Sequence, residues 1–396
     1  MRTLFWRIVR FTSMLVLAFA LITPQALAQA SDYTYQTNNG TTTITKYIGP
    51  GGDVTIPSTI DELPVTMIGS QTFVWCTNVT SVAIPESVTT IHDGVFTGCT
   101  SLKAFSVDPQ NPAYSSQEGV LFNKTQTVLT RYPQAKVGGF TVPTSVTTID
   151  HAAFASCTSL TTVALPDTVT TIAPDAFYWC TSLTGIVIPS GVNNIAGWTF
   201  AYNSSLTNLT ILGSITNVGD WAFYSTDLPA LDLPDSVVSI DHHAFYSCGL
   251  LTSAIVGTGV TSIGDSAFAA SGNLTAVYFR GNAPSLGLDV FAGDNRATVY
   301  YLPGSSGWDA TFGGRPTALW LPQIQTSGPD FGLHAGQFGF NVLWTRGMTV
   351  VVEASTTLST PAWSSLSTNI FTSDSFHFSD AQWENYPSRF YRVRSH

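Results

Sequence analysis

Hydrophobic residues recur along this chain with a period of 23 residues. Six of the eight intervals between successive marker phenylalanines are 23 residues, one is 22 and one is 58. The interval of 58 equals one period plus 35 residues, which indicates one unit with an insertion. The markers are Phe73, Phe96, Phe154, Phe177, Phe200, Phe223, Phe245, Phe268 and Phe291. A fixed period of about 20 to 50 residues is typical of a solenoid, whose long regular surface favours binding over catalysis.

Each period contains a short strand that ends at a proline. In the fullest copy, Leu183, Ile186 and Ile188 follow an L-x-x-L-x-L pattern whose last positions alternate, which predicts a strand. Pro189 lacks the amide donor that a strand ladder needs, so it ends the strand. Further apolar residues then form a second inward line, and Phe200 fills the back of the coil. Since no window has a long helical period, we expect the back to be one short helical or 3₁₀ turn.

Coils of this kind must stack, because one coil cannot bury its apolar side alone. The predicted fold is an α/β-type solenoid, mostly β, with one parallel sheet, over residues 52–303. Asn39-Gly40 between alternating residues predicts a β-hairpin, residues 29–51, that caps the first coil. The insertion, about residues 106–140, is predicted to hold a hairpin that turns at residues 123–126.

One copy of the repeat resembles a known family. From Ile84 to Leu102 it is I-P-x-x-V-T-x-I-x-x-x-V-F-x-x-C-x-S-L. This frame resembles the leucine-rich repeats of BspA-like bacterial surface proteins, with Val95 where those repeats usually have alanine. The resemblance extends over about residues 45 to 302. It implies a leucine-rich-repeat solenoid at a bacterial cell surface that binds proteins or host matrix.

The sequence after the repeats predicts a different structure. Glycine-rich residues 304–320 predict a linker. Residues 321–396 predict a small antiparallel β-sandwich. Its predicted strands include Phe338–Leu343, Val350–Ala354, Phe376–Phe378 and Arg389–Arg394. The segment from Phe378 to Arg394 resembles a C-terminal module of other exported bacterial repeat proteins. That resemblance implies an exported protein and no particular activity.

Residues 1–28 have the pattern of an export signal. A basic start precedes a mostly apolar stretch, and Ala26-Leu27-Ala28 supplies a small-x-small cleavage site. The apolar stretch is shorter than the ~18 residues that a membrane span needs, so a retained anchor is the weaker alternative. Loss of this segment, which holds three arginines and no acid, takes the formal net charge from −10 to −13. That charge argues against nucleic acid or anionic lipid as a partner.

Five cysteines each lie three residues after a marker phenylalanine, at Cys76, Cys99, Cys157, Cys180 and Cys248. The odd number and the fixed register favour a column of free buried thiols. Export to an oxidising compartment keeps disulfides open as the alternative, and Cys76–Cys99 and Cys157–Cys180 are the plausible pairs. The sequence has no C-x-x-C motif, so no zinc site is expected.

The outward positions of the predicted strands offer little catalytic chemistry. One column consists of Ala83, Ser106, Ala164, Val187, Thr210, Asp232, Ile255 and Tyr278, and it contains one carboxylate. A glycosidase needs two carboxylates at a defined separation, so we expect no catalytic residues. Histidines and aspartates recur just before the marker phenylalanines, where they fit turn and capping chemistry better than a ladder of metal ligands. No metal or cofactor is expected.

Aromatic residues that follow the marker phenylalanines form the most unusual candidate surface. They are Tyr178, Trp179, Tyr202, Tyr224 and Tyr246, and Trp198 and Trp221 precede their own markers by two residues. Stacked coils would align these rings into a strip that either packs on itself or binds a ligand. We therefore name two candidate binding surfaces, these five residues and the strand positions Val187, Thr210, Asp232, Ile255 and Tyr278.

The sequence as a whole predicts an exported protein, secreted or at the cell surface, that captures a protein or glycan through its repeat surface. A structural component of the cell envelope that self-associates is the first alternative. An enzyme acting on polysaccharides is a weaker alternative, because the predicted strand column lacks the catalytic pair of carboxylates. The fold alone does not determine function.

Overall fold

The computed structural model describes residues 30–344 and 346–395, and the predicted export signal lies outside them. Strands are numbered β1–β35 in chain order. Within the described ranges, helical structure is limited to two 3₁₀ turns, Ala30–Asp32 and Trp383–Asn385. The same ranges contain no helix with the length and hydropathy of a transmembrane segment.

The described chain begins with a hairpin that covers the first coil. Strands β1 (Tyr33–Asn38) and β2 (Thr41–Tyr47) pair antiparallel around Asn39 and Gly40, both of which have positive φ. Strand β2 also pairs in parallel with β5 (Leu63–Ile68), which is joined to β4 (Thr59–Ile60) by a second hairpin. The edge of the first coil at β5 is therefore paired within the chain.

Two strand columns run along the coils. The front column holds β3 (Gly52–Thr55), β6 (Val79–Ile84), β8 (Ala104–Val107), β12 (Gly138–Thr141), β14 (Leu160–Ala164), β16 (Gly185–Ile188), β18 (Asn208–Ile211), β20 (Ala230–Asp232), β22 (Ser253–Val256), β24 (Ala276–Phe279) and β26 (Thr298–Tyr301). A second column holds the two-residue strands β7 (Thr90–Ile91), β13 (Thr148–Ile149), β15 (Thr171–Ile172), β17 (Asn194–Ile195), β19 (Asn217–Val218), β21 (Ser239–Ile240), β23 (Ser262–Ile263) and β25 (Ser285–Leu286). Most neighbours within each column pair in parallel, so the predicted solenoid is confirmed.

The marker phenylalanines form the spine of the core. From Phe154 to Phe291, successive ring centroids lie 4.9–5.6 Å apart and the ring planes differ by 5–19°. These rings are fully buried, together with most of the leucines, isoleucines and valines of both strand columns. Burial of apolar side chains between neighbouring coils is the main stabilising term, as the 23-residue pattern predicts.

The back of each coil differs from the predicted helical or 3₁₀ turn. In most coils the residues two before and two after the marker phenylalanine lie in the left-handed region, with φ between 52° and 88°. The preceding set is Gly94, Ala152, Asp175, Trp198, Trp221, His243, Ser266 and Asp289. The following set is Trp75, Gly98, Ser156, Trp179, Tyr202, Ser225, Ser247, Ala270 and Gly293.

A ladder of amides between coils explains this conformation. Alternate back residues donate their N–H to a carbonyl of the next coil, and the residues between them close turns within their own coil. In one coil these bonds run from the amides of Trp198, Phe200 and Tyr202 to the carbonyls of Asp220, Ala222 and Tyr224, at 2.9, 2.8 and 2.7 Å. The ladder and ring stacking offset the cost of a left-handed L-residue, about 1–2 kcal/mol.

In the insertion, side chains make the hydrogen bonds to the next coil that the back turns of other coils make through their amides. Strand β10 (Val120–Asn123) pairs with β11 (Val128–Arg131) around the predicted turn. It also pairs with β9 (Tyr114–Gln117), which forms a second hairpin that the sequence did not predict. The buried side chains of Arg131 and Gln134 donate to the carbonyls of Ala152 and Ala155 in the next coil. They supply donors that a regular back turn would supply from its amides.

Residues 304–320, predicted to be a linker, contain two strands. Strand β27 (Thr311–Phe312) and β28 (Arg315–Leu319) form a hairpin around Gly313-Gly314, which have positive φ. Strand β28 also pairs in parallel with β26, so the front sheet extends beyond residue 303. Two glycines that allow left-handed φ make a tight hairpin turn rather than an open loop.

The C-terminal residues form two antiparallel sheets with a shared core. One sheet holds β29 (Gln323–Gln325), β30 (Gly332–His334), β31 (Gln337–Leu343) and β34 (Ser375–Asp380). The other holds β32 (Thr349–Ser355), β33 (Ser364–Ile370) and β35 (Phe390–Ser395). Phe340 and Val342 from the first sheet belong to one buried cluster with Val350 and Val352 from the second. The predicted sandwich is therefore confirmed.

All five cysteines are free, as the column pattern predicts. The thiols of Cys99, Cys180 and Cys248 donate to the carbonyl of the marker phenylalanine one coil earlier, at 3.0, 3.0 and 3.2 Å. Thr226 and Ser271 occupy the same slot and also hydrogen-bond to marker carbonyls. In these coils the slot holds a small hydrogen-bond donor rather than a disulfide.

Candidate functional site

Eight aromatic side chains on four consecutive coils form one continuous surface, which we call the aromatic strip. Its members are Tyr178, Trp179, Trp198, Tyr202, Trp221, Tyr224, His243 and Tyr246. Each lies two before, one after or two after a marker phenylalanine. At the positions two before and two after the marker, the left-handed backbone directs the side chain away from the core.

An inner row of the strip consists of rings stacked along the solenoid. The ring centroids of Trp198 and Trp221 are 5.1 Å apart with planes 12° apart. Those of Trp221 and His243 are 4.0 Å apart with planes 2° apart. Both faces of Trp221 are therefore covered by neighbouring rings, and only its edge points outward. The Nδ1 atom of His243 is buried and has no hydrogen-bond partner in the described structure.

An outer row packs against the inner one. Tyr202 lies at the centre, with its centroid 5.6 Å from Tyr178, 4.7 Å from Tyr224 and 5.5 Å from Trp179. Trp179 is 47% exposed, whereas the other rings of the strip are half-buried. A hydrogen bond with Tyr202 raises the pKa of Tyr224, and burial raises the pKa of Tyr178. These hydroxyls stay neutral at physiological pH and can donate or accept hydrogen bonds.

Of the two alternatives that the sequence left open for these rings, mutual packing is observed. The rings pack on each other, which fixes their positions before any partner arrives. They also leave an apolar edge with one exposed indole, a composition typical of binding hot spots. Such a surface suits association with another molecule.

The predicted strand positions form a separate row on the front sheet and divide into two parts. Val187, Thr210 and Asp232 are exposed, and Asp232 is held by an ion pair with Arg280 at 3.2 Å. Ile255 and Tyr278 instead pack against the core of the C-terminal module. The ten predicted residues thus do not form one surface, because five lie in the strip, three on the open sheet and two beneath the module.

The histidines and aspartates of the turns serve local structure. The carboxylate of Asp220 accepts the amide of His242 at 2.9 Å, and Nδ1 of His242 accepts the amide of Asp265 at 3.1 Å. His151 lies 3.4 Å from the carboxylate of Asp175. Over residues 30–344 and 346–395, no group of three or more His, Cys, Asp or Glu side chains is arranged to hold a metal ion. Turn chemistry, the favoured interpretation, fits these contacts.

Three members of the strip were not among the candidate binding residues. Trp198 and Trp221 were noted only as flanking rings, and His243 was grouped with the other histidines. The clue to their orientation was Gly94, which occupies the same position two residues before a marker phenylalanine. A glycine there indicates a left-handed backbone, and hence an outward side chain in the other copies.

Comparison with known proteins agrees with the repeat architecture. A family model described as a BspA type leucine rich repeat region matches this chain in six copies, over residues 53–127, 131–248 and 170–298. These ranges cover more than half of the chain. No curated protein matches the sequence.

Several solved structures are similar to this chain. A leucine-rich repeat protein from Eubacterium ventriosum ATCC 27560 is 25% identical with a TM-score of 0.52, over 61% of this chain and 65% of that chain. The pneumococcal vaccine antigen PcpA is 20% identical with a TM-score of 0.46, over 64% of this chain and 63% of that one. A leucine rich cell surface protein from Faecalibacterium prausnitzii A2-165 is 25% identical with a TM-score of 0.35, over 69% and 88%.

The chain spans somewhat less than two thirds of the first two of these proteins. The first supports the solenoid fold independently of the family model. With the six repeat copies and the parallel coils, it leads to one conclusion. This chain belongs to the BspA-type leucine-rich repeat family.

Proposed function

We propose that this protein is exported and captures a protein partner through the aromatic strip. The observation that supports this most strongly is the stacked row Trp198, Trp221 and His243 beside the exposed indole of Trp179. Rings held by mutual contact lose little side-chain entropy on association, and tryptophan and tyrosine dominate the energetics of protein interfaces. The family to which the chain belongs is consistent with a binding role.

The orientation of the rings favours a protein over a glycan at this surface. A sugar packs best on the free face of an aromatic ring, but both faces of Trp221 are occupied within the stack. The exposed edges and the neutral tyrosine hydroxyls complement an apolar protein surface with a few polar groups. The export signal predicted for residues 1–28 is consistent with delivery to the cell surface or outside the cell, where such a partner would be met.

The same contacts support a function without catalysis. Asp232 is the one carboxylate of the predicted strand column, whereas a glycosidase needs two carboxylates at a defined separation. The structural alternative, self-association of coils, has less support, because one hairpin pairs with β5 of the first coil and another pairs with β26 of the last coil. Size-exclusion chromatography would separate the two, since a tiling protein elutes as an oligomer and a capture protein as a monomer.

The test is binding of the chain from residue 29 to immobilised fibronectin, collagen and laminin by biolayer interferometry. Trp179→Ala should weaken binding at least tenfold, because it removes the exposed indole of the strip. The matched control is Trp75→Ala. Trp75 occupies the same left-handed position in the first coil and is 71% exposed, but it lies outside the strip.

The proposal fails if both tryptophan variants weaken binding equally, or if none of the three matrix proteins binds the unaltered chain. Circular dichroism of both variants checks that the coils remain folded. Since both substitutions remove an exposed indole from an identical backbone conformation, a difference between them reports the strip itself.

A further inference from the structure

The coils that carry the aromatic strip contain acidic side chains and no lysine or arginine. From Val137 to Phe279 the sequence has nine aspartates, no glutamate and no lysine or arginine. None of the nine aspartates is buried. Since a coil of a solenoid contacts mainly its own neighbours, the charges close to the strip come from these coils. The electrostatic potential around the strip is therefore negative.

The central back turn of the strip has a carboxylate at each end. Asp220 directly precedes Trp221, and Asp227 follows Tyr224 by three residues. Asp220 is exposed and Asp227 is half-buried. Within the described residues, neither carboxylate belongs to an ion pair. Both negative charges therefore remain available to a partner that lies across the strip.

The exposed indole of Trp179 offers one open face to a partner. Its other face is stacked on Tyr202, with centroids 5.5 Å apart and planes 28° apart, and Tyr178 lies beside it at 77°. In the preceding coil the same left-handed position is occupied by Ser156, which has no ring to cover the second face. The face of an indole attracts a cation, and a guanidinium group stacks on it well.

We infer that the partner captured by the aromatic strip is a basic protein segment, rich in arginine. This inference rests on the function proposed above and adds the charge of the partner to it. An arginine stacks on the open face of Trp179 while neighbouring cationic side chains pair with Asp220 and Asp227. The carboxylates favour a cation over a neutral sugar ring at the same indole face.

The spacing of these groups suits a short peptide segment. Trp179 lies two coils before the central back turn, which is about 10 Å at the usual separation of neighbouring strands. About three residues of an extended peptide cover that distance. The stacked rings of Trp198 and Trp221 lie between the two ends and supply apolar contact. A segment in which arginine alternates with apolar residues therefore matches both the charge and the rings.

The experiment compares three immobilised synthetic peptides by biolayer interferometry. One interleaves arginine with leucine and tyrosine, and the other two carry glutamine or glutamate in place of every arginine. The chain from residue 29 should bind the arginine peptide at least about tenfold more tightly than the glutamine peptide, and the glutamate peptide more weakly still. Affinity for the arginine peptide should fall as the salt concentration rises.

Paired substitutions separate the local charge of the strip from the net charge of the chain. Asp220→Asn with Asp227→Asn should weaken binding of the arginine peptide about three- to tenfold and reduce its salt dependence. Asparagine keeps the oxygen with which Asp220 accepts the amide of His242, so the turn is preserved. The matched control is Asp167→Asn with Asp235→Asn, which removes the same charge from exposed positions in the turns between the two strand columns. This control should change the affinity by less than about twofold.

The inference is overturned if the arginine peptide does not bind, if it binds no more tightly than the glutamine peptide, or if both double variants weaken it alike. Trp179→Ala distinguishes this failure from a failure of the proposed function. If the three peptides bind alike and Trp179→Ala weakens all of them, the strip remains the capture surface and its preference for a cation is refuted. If Trp179→Ala leaves binding of the arginine peptide unchanged, the strip is not the capture surface and the proposed function itself fails.

Discussion

The left-handed back turns make a quantitative prediction about two neighbouring coils. Ala270 and Gly293 occupy the same position, two residues after Phe268 and Phe291, with φ of 60° and 88°. An L-residue pays about 1–2 kcal/mol for this conformation, while glycine loses about 0.5–1 kcal/mol more backbone entropy than alanine on folding. The net preference for glycine is therefore about 0.5–1 kcal/mol.

The structure permits a reciprocal exchange at these two positions. Ala270 is exposed, so Ala270→Gly removes no buried contact and should stabilise the chain by about 0.5–1 kcal/mol. A Cβ built on Gly293 would lie 3.5 Å from its nearest neighbour, the backbone of Ala270, which is an ordinary contact. Gly293→Ala should therefore destabilise the chain by a similar amount through backbone strain alone.

Urea unfolding followed by circular dichroism measures both changes, as opposite shifts of the midpoint at an unchanged slope. The control is Ala269→Gly, at the adjacent buried position, whose φ is not positive. That variant should destabilise the chain, because glycine there adds entropy cost and removes a buried methyl group. If Ala270→Gly also lowers the midpoint, the left-handed assignment of the back turns is refuted.

Three further predictions concern buried polar groups. Gln134→Ala should destabilise the chain by about 1–3 kcal/mol in urea unfolding, because it leaves the buried carbonyl of Ala155 without its donor; a change below 0.5 kcal/mol or so would contradict the role of the insertion as a substitute turn. Burial raises the pKa of Asp294 from 3.8 to about 7, so its protonated form stabilises the fold below about pH 4 and this contribution is lost as pH rises through 7. In Asp294→Asn, stability should no longer fall between pH 4 and 7 through this group. Identical pH profiles of Tm for the variant and the unaltered chain would contradict this assignment. Burial raises the pKa of Cys99 to about 12 and that of Cys180 well above its ordinary value, so a thiol reagent at pH 8 should label them only after unfolding; rapid labelling of the folded chain would contradict the packing of the column.

The repeat period was sufficient to predict the stacked coils, because burial of one phenylalanine per coil follows directly from the spacing. The back turns were not predicted, since Trp198 and Tyr202 give no sign of a left-handed backbone in their own identity. Their conformation comes from amide bonds to the next coil, and those partners lie 22 residues away in the sequence. Glycines at equivalent positions, such as Gly98, were the available signal.

The sequence also does not indicate which outward positions of the front sheet are exposed and which are covered. Val187 and Ile255 occupy equivalent outward positions and have similar side chains, yet the first is exposed and the second packs on the C-terminal module. Whether such a residue is covered depends on where a distant module docks. The strand in the predicted linker was missed for a related reason. Strand β28 forms because it pairs with β26, and its own residues show no alternating strand pattern.

The central claim, that the aromatic strip is the binding surface, is tested most directly by hydrogen exchange of the chain with and without the matrix protein that it binds. The account predicts that slowed exchange is concentrated in the back turns at residues 175–180, 198–203, 221–226 and 243–248. Protection confined to the front sheet, or to back turns outside these four coils, would contradict it.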